Sequence, residues 1–258
     1  MDSTIRKLWA IMVKRTALTA QNELIDLHCH ILPNVDDGSR DLEESLNMAR
    51  NAVNDGIKII VATPHHLDRH FINNNVDVVE QVNFFNKKLK QKNIPLTVLP
   101  GQEVHLNGNL LDSLPTLLFF SKNKKYLLIE LPHEQVPEYT EKILFDLKCK
   151  GITPIIAHPE RNLEILHNPE IFEKMVADGC LGQLTATSLV GGFGHRIYKF
   201  SKFLVKNNLV QVIASDAHCL PNRNFQLQKS YRVLNSLGVK NNFIRNSELI
   251  LQGKELIK

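Results

Sequence analysis

Residues 148–160 read KCKGITPIIAHPE, and this stretch contains the structural unit that recurs along the chain. A helical segment ends at Gly151, an apolar run with branched side chains follows, and polar residues begin at His158. Glycine in the left-handed conformation commonly ends a helix, and a short run that is apolar throughout favours a parallel strand buried on both faces. The stretch therefore predicts a helix, a tight turn and a strand whose carboxyl end carries polar side chains.

The same pattern occurs at three other places in the sequence. NDG precedes IKIIVATPHH at 54–66, ADG precedes CLGQLTATS at 177–188, and KNN precedes LVQVIASDAH at 206–218. Helices that alternate with buried strands in this way predict βα units and a parallel sheet. The predicted strands are 24–31, 57–64, 96–104, 126–131, 153–158, 181–187 and 210–216.

The helical segments show the apolar period of helices that cover a sheet. Apolar residues spaced 4, 3 and 4 apart occur at Leu42, Leu46, Ala49 and Val53, and again at Val78, Val82, Phe85 and Leu89. Seven strands with such helices predict an α/β fold of the distorted (β/α)7 TIM-like barrel type. An open doubly wound sheet is the alternative.

Length and composition indicate one catalytic domain. The chain has 258 residues, of which 43% are hydrophobic, and this is enough to build a single large core. Residues 23–258 are predicted to form the domain, and residues 1–22 a leader outside the fold. The apolar run at 8–13 in this leader is far shorter than the ~18 residues that suggest a membrane span. No longer apolar run occurs elsewhere, so no membrane span is expected.

Charge and cysteine content argue against several classes of protein. Lys and Arg number 31 against 27 Asp and Glu, with no basic block, so no nucleic-acid partner is expected. The cysteines form no CxxC pair, which favours a reducing, cytoplasmic location. A cysteine-dependent phosphatase needs an arginine six residues after its nucleophile, and the chain has none there after Cys29, Cys149, Cys180 or Cys219. The chain has no GxGxxG, Walker or GxSxG motif, which argues against the common nucleotide-binding and serine-hydrolase classes. No residues that bind an organic cofactor are predicted.

Polar residues at the predicted strand ends are the main evidence for function. Carboxyl ends of parallel strands converge on one mouth of the fold, and mixed imidazole and carboxylate groups suit zinc, manganese or iron. Singly, each residue could belong to an ordinary polar patch or a salt bridge at the barrel mouth. Together they favour a metal site, and they are His28, His30, His65, Glu103, Glu130, His158, Asp216 and His218.

Two loops beside these strand ends carry further candidates. In NVDDGS, one of Asp36 and Asp37 is expected to be a ligand and the other to cap the next helix together with Ser39. Arg161 and Arg223 follow two of the motifs, and an arginine there can hold two phosphate oxygens at once. The alternative role of these arginines is to pair with excess carboxylates of the site.

The motifs DLHCHILPNVDDGS, ATPHH, GQEV, AHPER and SDAH together resemble the PHP family, named for polymerase and histidinol phosphatase domains. Within that family they look like the tyrosine phosphatases of capsule and exopolysaccharide operons in Gram-positive bacteria, to which DDGS and AHPER point. The resemblance covers residues 24–240. It implies the same distorted barrel that the strand pattern predicts.

The resemblance also implies three divalent ions, usually manganese, with iron, zinc and magnesium as alternatives. The implied substrate is the phosphotyrosine tail of a cognate bacterial tyrosine kinase, and the implied assembly is a homo-oligomer. Asp37, Arg161 and Arg223 would act in catalysis, and Asp37 and His66 are candidates for a general acid. The implied metal ligands are His28, His30, Asp37, His65, Glu103, Glu130, His158, Asp216 and His218.

Two other functions fit the same motifs. One is a small-molecule phosphatase of the PHP family, such as a histidinol phosphatase. The other is a non-catalytic module that binds phosphotyrosine and uses the metal only for structure. Nine candidate ligands exceed the four of a closed structural site, which favours catalysis.

We predict that chelation abolishes phosphatase activity, whereas iodoacetamide applied to the folded protein does not. The reason is that the sequence offers a metal site and no cysteine with the required arginine. Activity on a phosphotyrosine peptide would be measured before and after each treatment, together with metal content. Inactivation by iodoacetamide at full metal content would contradict the assignment.

Overall fold

The computed structural model describes residues 23–220, 223–239 and 242–256, and the paired strands in this part of the chain run parallel. The predicted strand 96–104 is interrupted at residues 101–102 and appears as two short strands. The predicted strand 57–64 ends at Ala62, and a separate short strand begins at His65, beyond its predicted end. The strands are β1 Leu24–Cys29, β2 Ile57–Ala62, β3 His65–His66, β4 Thr97–Pro100, β5 Glu103–His105, β6 Tyr126–Glu130, β7 Thr153–Ala157, β8 Leu181–Thr185 and β9 Val212–Ala214.

The described strands form a ring of seven, if β2 with β3 and β4 with β5 are each counted once. β1 pairs with β2 and β2 with β4, while β3, β5, β6, β7, β8 and β9 follow one another in a second sheet. Across the interruptions the Gly101 amide donates to the Ala62 carbonyl at 2.8 Å. The ring closes where the His30 amide donates to Ala217 at 2.9 Å and the Asp216 amide to His28 at 2.8 Å. The distorted (β/α)7 barrel is thus confirmed, and the open sheet is not the fold.

Alternate strand residues belong to two separate hydrophobic clusters. In β7, Ile155 belongs to a small cluster that also contains Leu128 of β6 and Val212 of β9, whereas Ile156 belongs to the large cluster formed with the helices. This period of two places one set of side chains inside the barrel and the other beneath the surrounding helices. Ile250 and Leu251 from the last helix join the inner cluster.

The helices lie between the strands, as the sequence pattern predicts. Val78, Val82, Phe85 and Leu89 are all buried in α2, and Leu46 and Ala49 are buried in α1. Short 3-10 turns occupy Leu114–Thr116 and Pro159–Arg161. The α-helices are α1 Leu42–Asn54, α2 Asn75–Gln91, α3 Leu110–Ser113, α4 Thr140–Cys149, α5 Leu163–His167, α6 Pro169–Ala177, α7 Ala186–Leu189, α8 His195–Lys206, α9 Leu227–Ser236 and α10 Phe243–Gln252.

The residues predicted to end helices adopt the left-handed conformation. Gly56, Gly151 and Gly179 have φ values of 86°, 75° and 97°, and Asn208 has a φ of 56°. Each follows a helix and precedes a strand, so the recurring unit read from residues 148–160 is confirmed at all four places.

Two further sequence predictions concern the leader segment and the lack of a membrane span. Residues 1–22, the predicted leader, lie outside the described residues, and the division into a leader and one domain stays a prediction. Among the described residues, no helix is both long enough and apolar enough to cross a membrane.

We predict that Gly182→Ala destabilises the fold, because Gly182 in β8 leaves no room for a methyl group. A Cβ there would lie 2.8 Å from the Phe172 ring of α6 and 2.8 Å from the Leu209 carbonyl oxygen. Overpacking of this kind costs about 1–3 kcal/mol. The urea midpoint would be compared with that of Gly108→Ala, whose Cβ meets nothing within 4 Å. Equal midpoints for the two variants would contradict the prediction.

Candidate metal centre

The carboxyl ends of the strands bring the nine predicted ligands together at the mouth of the barrel. In the described part of the chain, their ligand atoms form groups within which all atoms lie within 4.8 Å of one another. Each of the nine residues belongs to at least one group. The groups are His30, Asp37, His65 and His218; His28, His30 and Asp216; His28, Glu103 and His158; and His65, Glu103 and Glu130.

The carboxylate of Glu103 lies at the centre of this cluster and is fully buried. Its Oε2 atom lies 3.2 Å from His28 Nε2, 3.3 Å from His30 Nε2 and 3.1 Å from His65 Nδ1. Its Oε1 atom lies 2.9 Å from His158 Nε2. One carboxylate from β5 therefore touches imidazoles that come from three other strand ends.

Two aspartates extend the cluster on either side of Glu103. Asp216 Oδ1 lies 3.4 Å from His28 Nε2 and 3.5 Å from His30 Nε2. Asp37 Oδ1 lies 3.3 Å from His65 Nε2 and 3.2 Å from His218 Nε2, and this carboxylate is 49% exposed. The cluster thus runs from a buried floor to an open edge at Asp37.

The acidic groups of the floor are held in their charged form. Burial alone would raise the pKa of Glu103, but the imidazoles of His28 and His65 outweigh it and hold that pKa well below its usual value. Burial likewise acts against the charged form of Asp216, yet neighbouring cations, foremost the Arg161 guanidinium, keep its pKa well below the ordinary range. Burial and the nearby His30 lower the pKa of His218 to about 4, which keeps its ring neutral at physiological pH.

Several buried ligand atoms have no hydrogen-bond partner among the described residues. They include Glu103 Oε2, Asp216 Oδ1, His65 Nδ1 and His218 Nε2. Buried polar atoms are nearly always satisfied, and these point into a set of imidazole and carboxylate donors that suits divalent transition metals. The residues present therefore fit a metal centre.

Asp36 does not cap a helix, and that sequence interpretation is wrong. The cap of α1 is Asp41, whose Oδ1 accepts from the Glu44 amide at 2.8 Å. Asp36 is instead buried against the cluster, where its Oδ2 accepts from His30 Nδ1 at 2.6 Å and from the His65 amide at 3.2 Å. A hydrogen-bonded Nδ1–H leaves the Nε2 lone pair of His30 free to face Glu103 and Asp216.

Gln183 of β8 is a second supporting residue that the sequence reasoning missed. Its Oε1 lies 2.9 Å from His28 Nδ1 and 3.3 Å from the His158 amide. The signal that could have found it is a polar side chain within the predicted strand CLGQLTATS. His105, also missed, contacts Glu130 with its Nδ1 at 3.3 Å.

Arg161 and Arg223 converge on the outer oxygen of Asp216. Arg161 Nη1 and Arg223 Nη2 both donate to Asp216 Oδ2, the latter at 2.8 Å. Their side chains are 20% and 27% exposed, so both guanidinium groups also border the open mouth. Each arginine uses one terminal nitrogen on Asp216, which leaves further donors for another anion.

His66 and the cysteines lie apart from the cluster's chemistry. His66 is buried, belongs to none of the metal groups, and burial lowers its pKa. A neutral, buried imidazole is a poor general acid. Cys29 and Cys180 are also buried, and burial raises the pKa of both thiols, which disfavours a reactive thiolate.

The fold and the cluster together define a class: a distorted (β/α)7 barrel with a cluster of candidate metal ligands at the carboxyl ends of its strands. Residues 24–252 match the family described as "Capsular polysaccharide synthesis, CpsB/CapC". The chain belongs to this CpsB/CapC family.

Named relatives and a solved structure agree with the family match. The chain is 43% identical to tyrosine-protein phosphatase YwqE of Bacillus subtilis, over 91% of this chain and 94% of that protein. It is 34% identical to putative tyrosine-protein phosphatase CapC of Staphylococcus aureus, with the same coverage. A structure from work on YwqE of Bacillus subtilis and CpsB of Streptococcus pneumoniae, described as "unique metal-dependent tyrosine phosphatases", superposes with a TM-score of 0.87. It shares 42% identity and covers 91% of this chain and 96% of its own.

We predict that Asp36→Ala weakens metal binding about 10- to 100-fold, because it releases the ring of His30. Asp36→Asn should cost less, since an amide oxygen can still accept from Nδ1–H. Bound manganese would be measured by atomic emission after dialysis at graded concentrations. Asp41→Asn is the control, because it keeps a good helix cap and Asp41 lies outside the cluster. Wild-type manganese affinity in Asp36→Ala would contradict the role assigned to Asp36.

Proposed function

We propose that this chain is a metal-dependent protein-tyrosine phosphatase. The observation that carries the proposal is the cluster of nine imidazole and carboxylate side chains with two arginines at its open edge. Support comes from the YwqE and CapC relatives, which are named tyrosine-protein phosphatases and match nearly their whole length. Hydrolysis of a phosphate ester needs a site that neutralises several negative oxygens, and this arrangement supplies one.

The finer proposal concerns metal, substrate and setting. We infer manganese as the working metal, in three sites, with iron, zinc or magnesium as alternatives. The substrate is the phosphotyrosine tail of a cognate bacterial tyrosine kinase that regulates capsule or exopolysaccharide synthesis. The enzyme would work in the cytoplasm as a homo-oligomer. The family match to capsular polysaccharide synthesis proteins supports the setting.

The nine clustered side chains would hold the ions, with Glu103 shared between groups. When bound, divalent ions lower the pKa of a water molecule and neutralise charge on phosphoryl oxygens. The protein fixes the donors for this purpose, since Asp36 orients His30 and Gln183 orients His28. It also buries His28, Glu103 and Asp216 almost completely, so that their charges interact strongly.

The two arginines would bind the phosphate of the substrate. They lie side by side on Asp216 Oδ2 and border the mouth, so their remaining donors face an entering phosphoryl group. A guanidinium group can hold two phosphate oxygens at once. The arginines would thereby orient the phosphoryl group above the metal ligands and stabilise the charge that it carries during transfer.

The leaving phenolate makes only a modest demand for a proton. A tyrosine hydroxyl has a pKa of about 10, so it departs more readily than an alkyl alcohol. The imidazoles of His218 and His65, 3.2 and 3.3 Å from its carboxylate, outweigh burial and hold the pKa of Asp37 far below its ordinary value. Asp37 is thus ionised and suits the role of ligand better than that of proton donor.

We predict that ligand variants and arginine variants fail in different ways. His28→Ala, Glu103→Ala or Asp216→Ala removes a donor, so metal content and activity should fall together. Arg161→Ala or Arg223→Ala should keep the metal but lower kcat/KM by roughly ten- to a thousandfold, or about 1.4–4 kcal/mol. Lysine at either position should recover only part, because a point charge does not reproduce the guanidinium fork.

The assay would use a phosphotyrosine peptide and histidinol phosphate after chelation and reloading with manganese, magnesium, zinc or iron. Faster turnover of histidinol phosphate would favour the small-molecule phosphatase instead. Binding of the peptide without turnover under any metal would favour the non-catalytic module. Wild-type kcat/KM in both arginine variants at full metal content would show that these arginines only balance carboxylates.

A further inference from the structure

Two half-buried phenylalanines border the mouth of the barrel, and the proposed chemistry does not use either of them. Phe71 lies in the loop after β3, and Phe193 lies in the loop between α7 and α8. Each ring has one face against a side chain of the candidate site. Large apolar side chains beside a charged mouth indicate contact with an apolar part of the substrate.

The ring of Phe71 stacks on His65, which is one of the proposed ligands. Their ring centroids are 6.1 Å apart and the planes differ by only 17°. The loop is held in place by Asn73, whose Nδ2 donates to the His65 carbonyl at 2.8 Å and to the Val35 carbonyl at 3.0 Å. Phe71 is therefore tied to the backbone that also presents His65 and the Asp37 loop.

The ring of Phe193 lies against Arg161, which is one of the proposed phosphate contacts. The guanidinium carbon is 5.3 Å from the ring centroid. The adjacent helix α7 is anchored by the buried carboxylate of Glu160, which accepts from Ser188 Oγ at 2.7 Å and from the Thr185 amide at 3.0 Å. Phe193 therefore contacts Arg161 and follows a helix that is anchored to the residue next to Arg161.

The strand order places these rings on opposite sides of the mouth. Around the barrel, β1 and β9 lie between β3 and β8 in one direction. In the other direction β5, β6 and β7 lie between them. The exposed edge of the cluster, at Asp37, Arg161 and Arg223, lies between them. A phosphate held by the arginines would have the rest of its ester between two aromatic side chains.

We infer that Phe71 and Phe193 form an aromatic rim that receives the phenyl ring of the substrate and selects aryl over alkyl phosphate esters. This inference rests on the proposed phosphatase function and names the residues that determine its specificity. Offset or edge-to-face contacts between aromatic rings add to the hydrophobic gain from burying them. A serine or threonine phosphate has no ring to fill the same space, so it gains neither term.

The test measures binding of two small phosphonates by calorimetry to the manganese-loaded protein. Phenylphosphonate and methylphosphonate share the anionic head and differ in the ring. We expect the wild type to bind phenylphosphonate about tenfold more tightly. Phe71→Ala and Phe193→Ala should each weaken the binding of phenylphosphonate about three- to tenfold, while the affinity for methylphosphonate changes less than about twofold. Phe71→Tyr and Phe193→Tyr each keep an aromatic ring and should keep the preference for phenylphosphonate.

Phe145→Ala is the matched control, because Phe145 is a 59% exposed phenylalanine on α4 and lies outside the candidate site. It should leave both affinities unchanged. An equal loss of affinity for both phosphonates in Phe193→Ala would show that Phe193 only positions Arg161, and it would overturn the place of Phe193 in the rim. An unchanged affinity for phenylphosphonate in Phe71→Ala would overturn the place of Phe71 in the rim.

Activity on a phosphotyrosine peptide, measured in parallel, separates this inference from the proposed function. If the wild type hydrolyses the peptide but does not prefer phenylphosphonate, the proposed function stands and the aromatic rim is contradicted. If the wild type prefers phenylphosphonate through both phenylalanines but does not hydrolyse the peptide, the aromatic rim stands and the proposed reaction is contradicted.

Discussion

The fully buried carboxylate of Glu103, in contact with four imidazoles, is the constraint on which the rest of the site depends. An ionised group in a protein interior is costly unless opposite charges and hydrogen bonds surround it. Here the compensating groups come from β1, β3 and the segment after β7, so the cluster needs the barrel to deliver them. Removing one of these charged partners leaves the charges of the others uncompensated. A substitution in the cluster is therefore expected to affect metal binding, charge balance and local packing together.

The barrel is distorted where it supplies these groups. β2 and β4 each end three positions before a proposed ligand, His65 and Glu103 respectively. The pairing of β1 with β2 shifts register between Asp26 and Cys29. His158 and Asp216 adopt the left-handed conformation, with φ values of 31° and 51°. A left-handed histidine is uncommon, and such backbone is concentrated at functional sites because the surroundings must hold it in place. Regular strands would carry alternate side chains away from the mouth, whereas these irregularities turn several ligands towards one centre.

How far the sequence predicts this structure depends on the range of each interaction. Helix ends, strands and strand-end ligands follow from local patterns such as the left-handed Gly151 and the apolar run before His158, and these could be predicted. The role of Asp36 could not, because its partners are the side chain of His30 and the amide of His65, which follows 29 residues later. A helix cap was the better local explanation of an aspartate there. Phe71 and Phe193 carry no motif at all, and only the strand order brings them to the same mouth.

Asp216 would link the proposed metal binding to the proposed phosphate binding, because its two carboxylate oxygens face different partners. Oδ1 turns to His28 and His30 in the buried floor, while Oδ2 accepts from both arginines at the mouth. The carboxylate thereby holds two guanidinium groups close together, although like charges repel and each has its own loop. In the proposed function, an entering phosphate would meet an arginine pair that is already assembled, so that no binding energy would be needed to bring the two arginines together. Because the same carboxylate is a proposed ligand, the geometry of the metal floor and that of the phosphate contacts are set by one side chain.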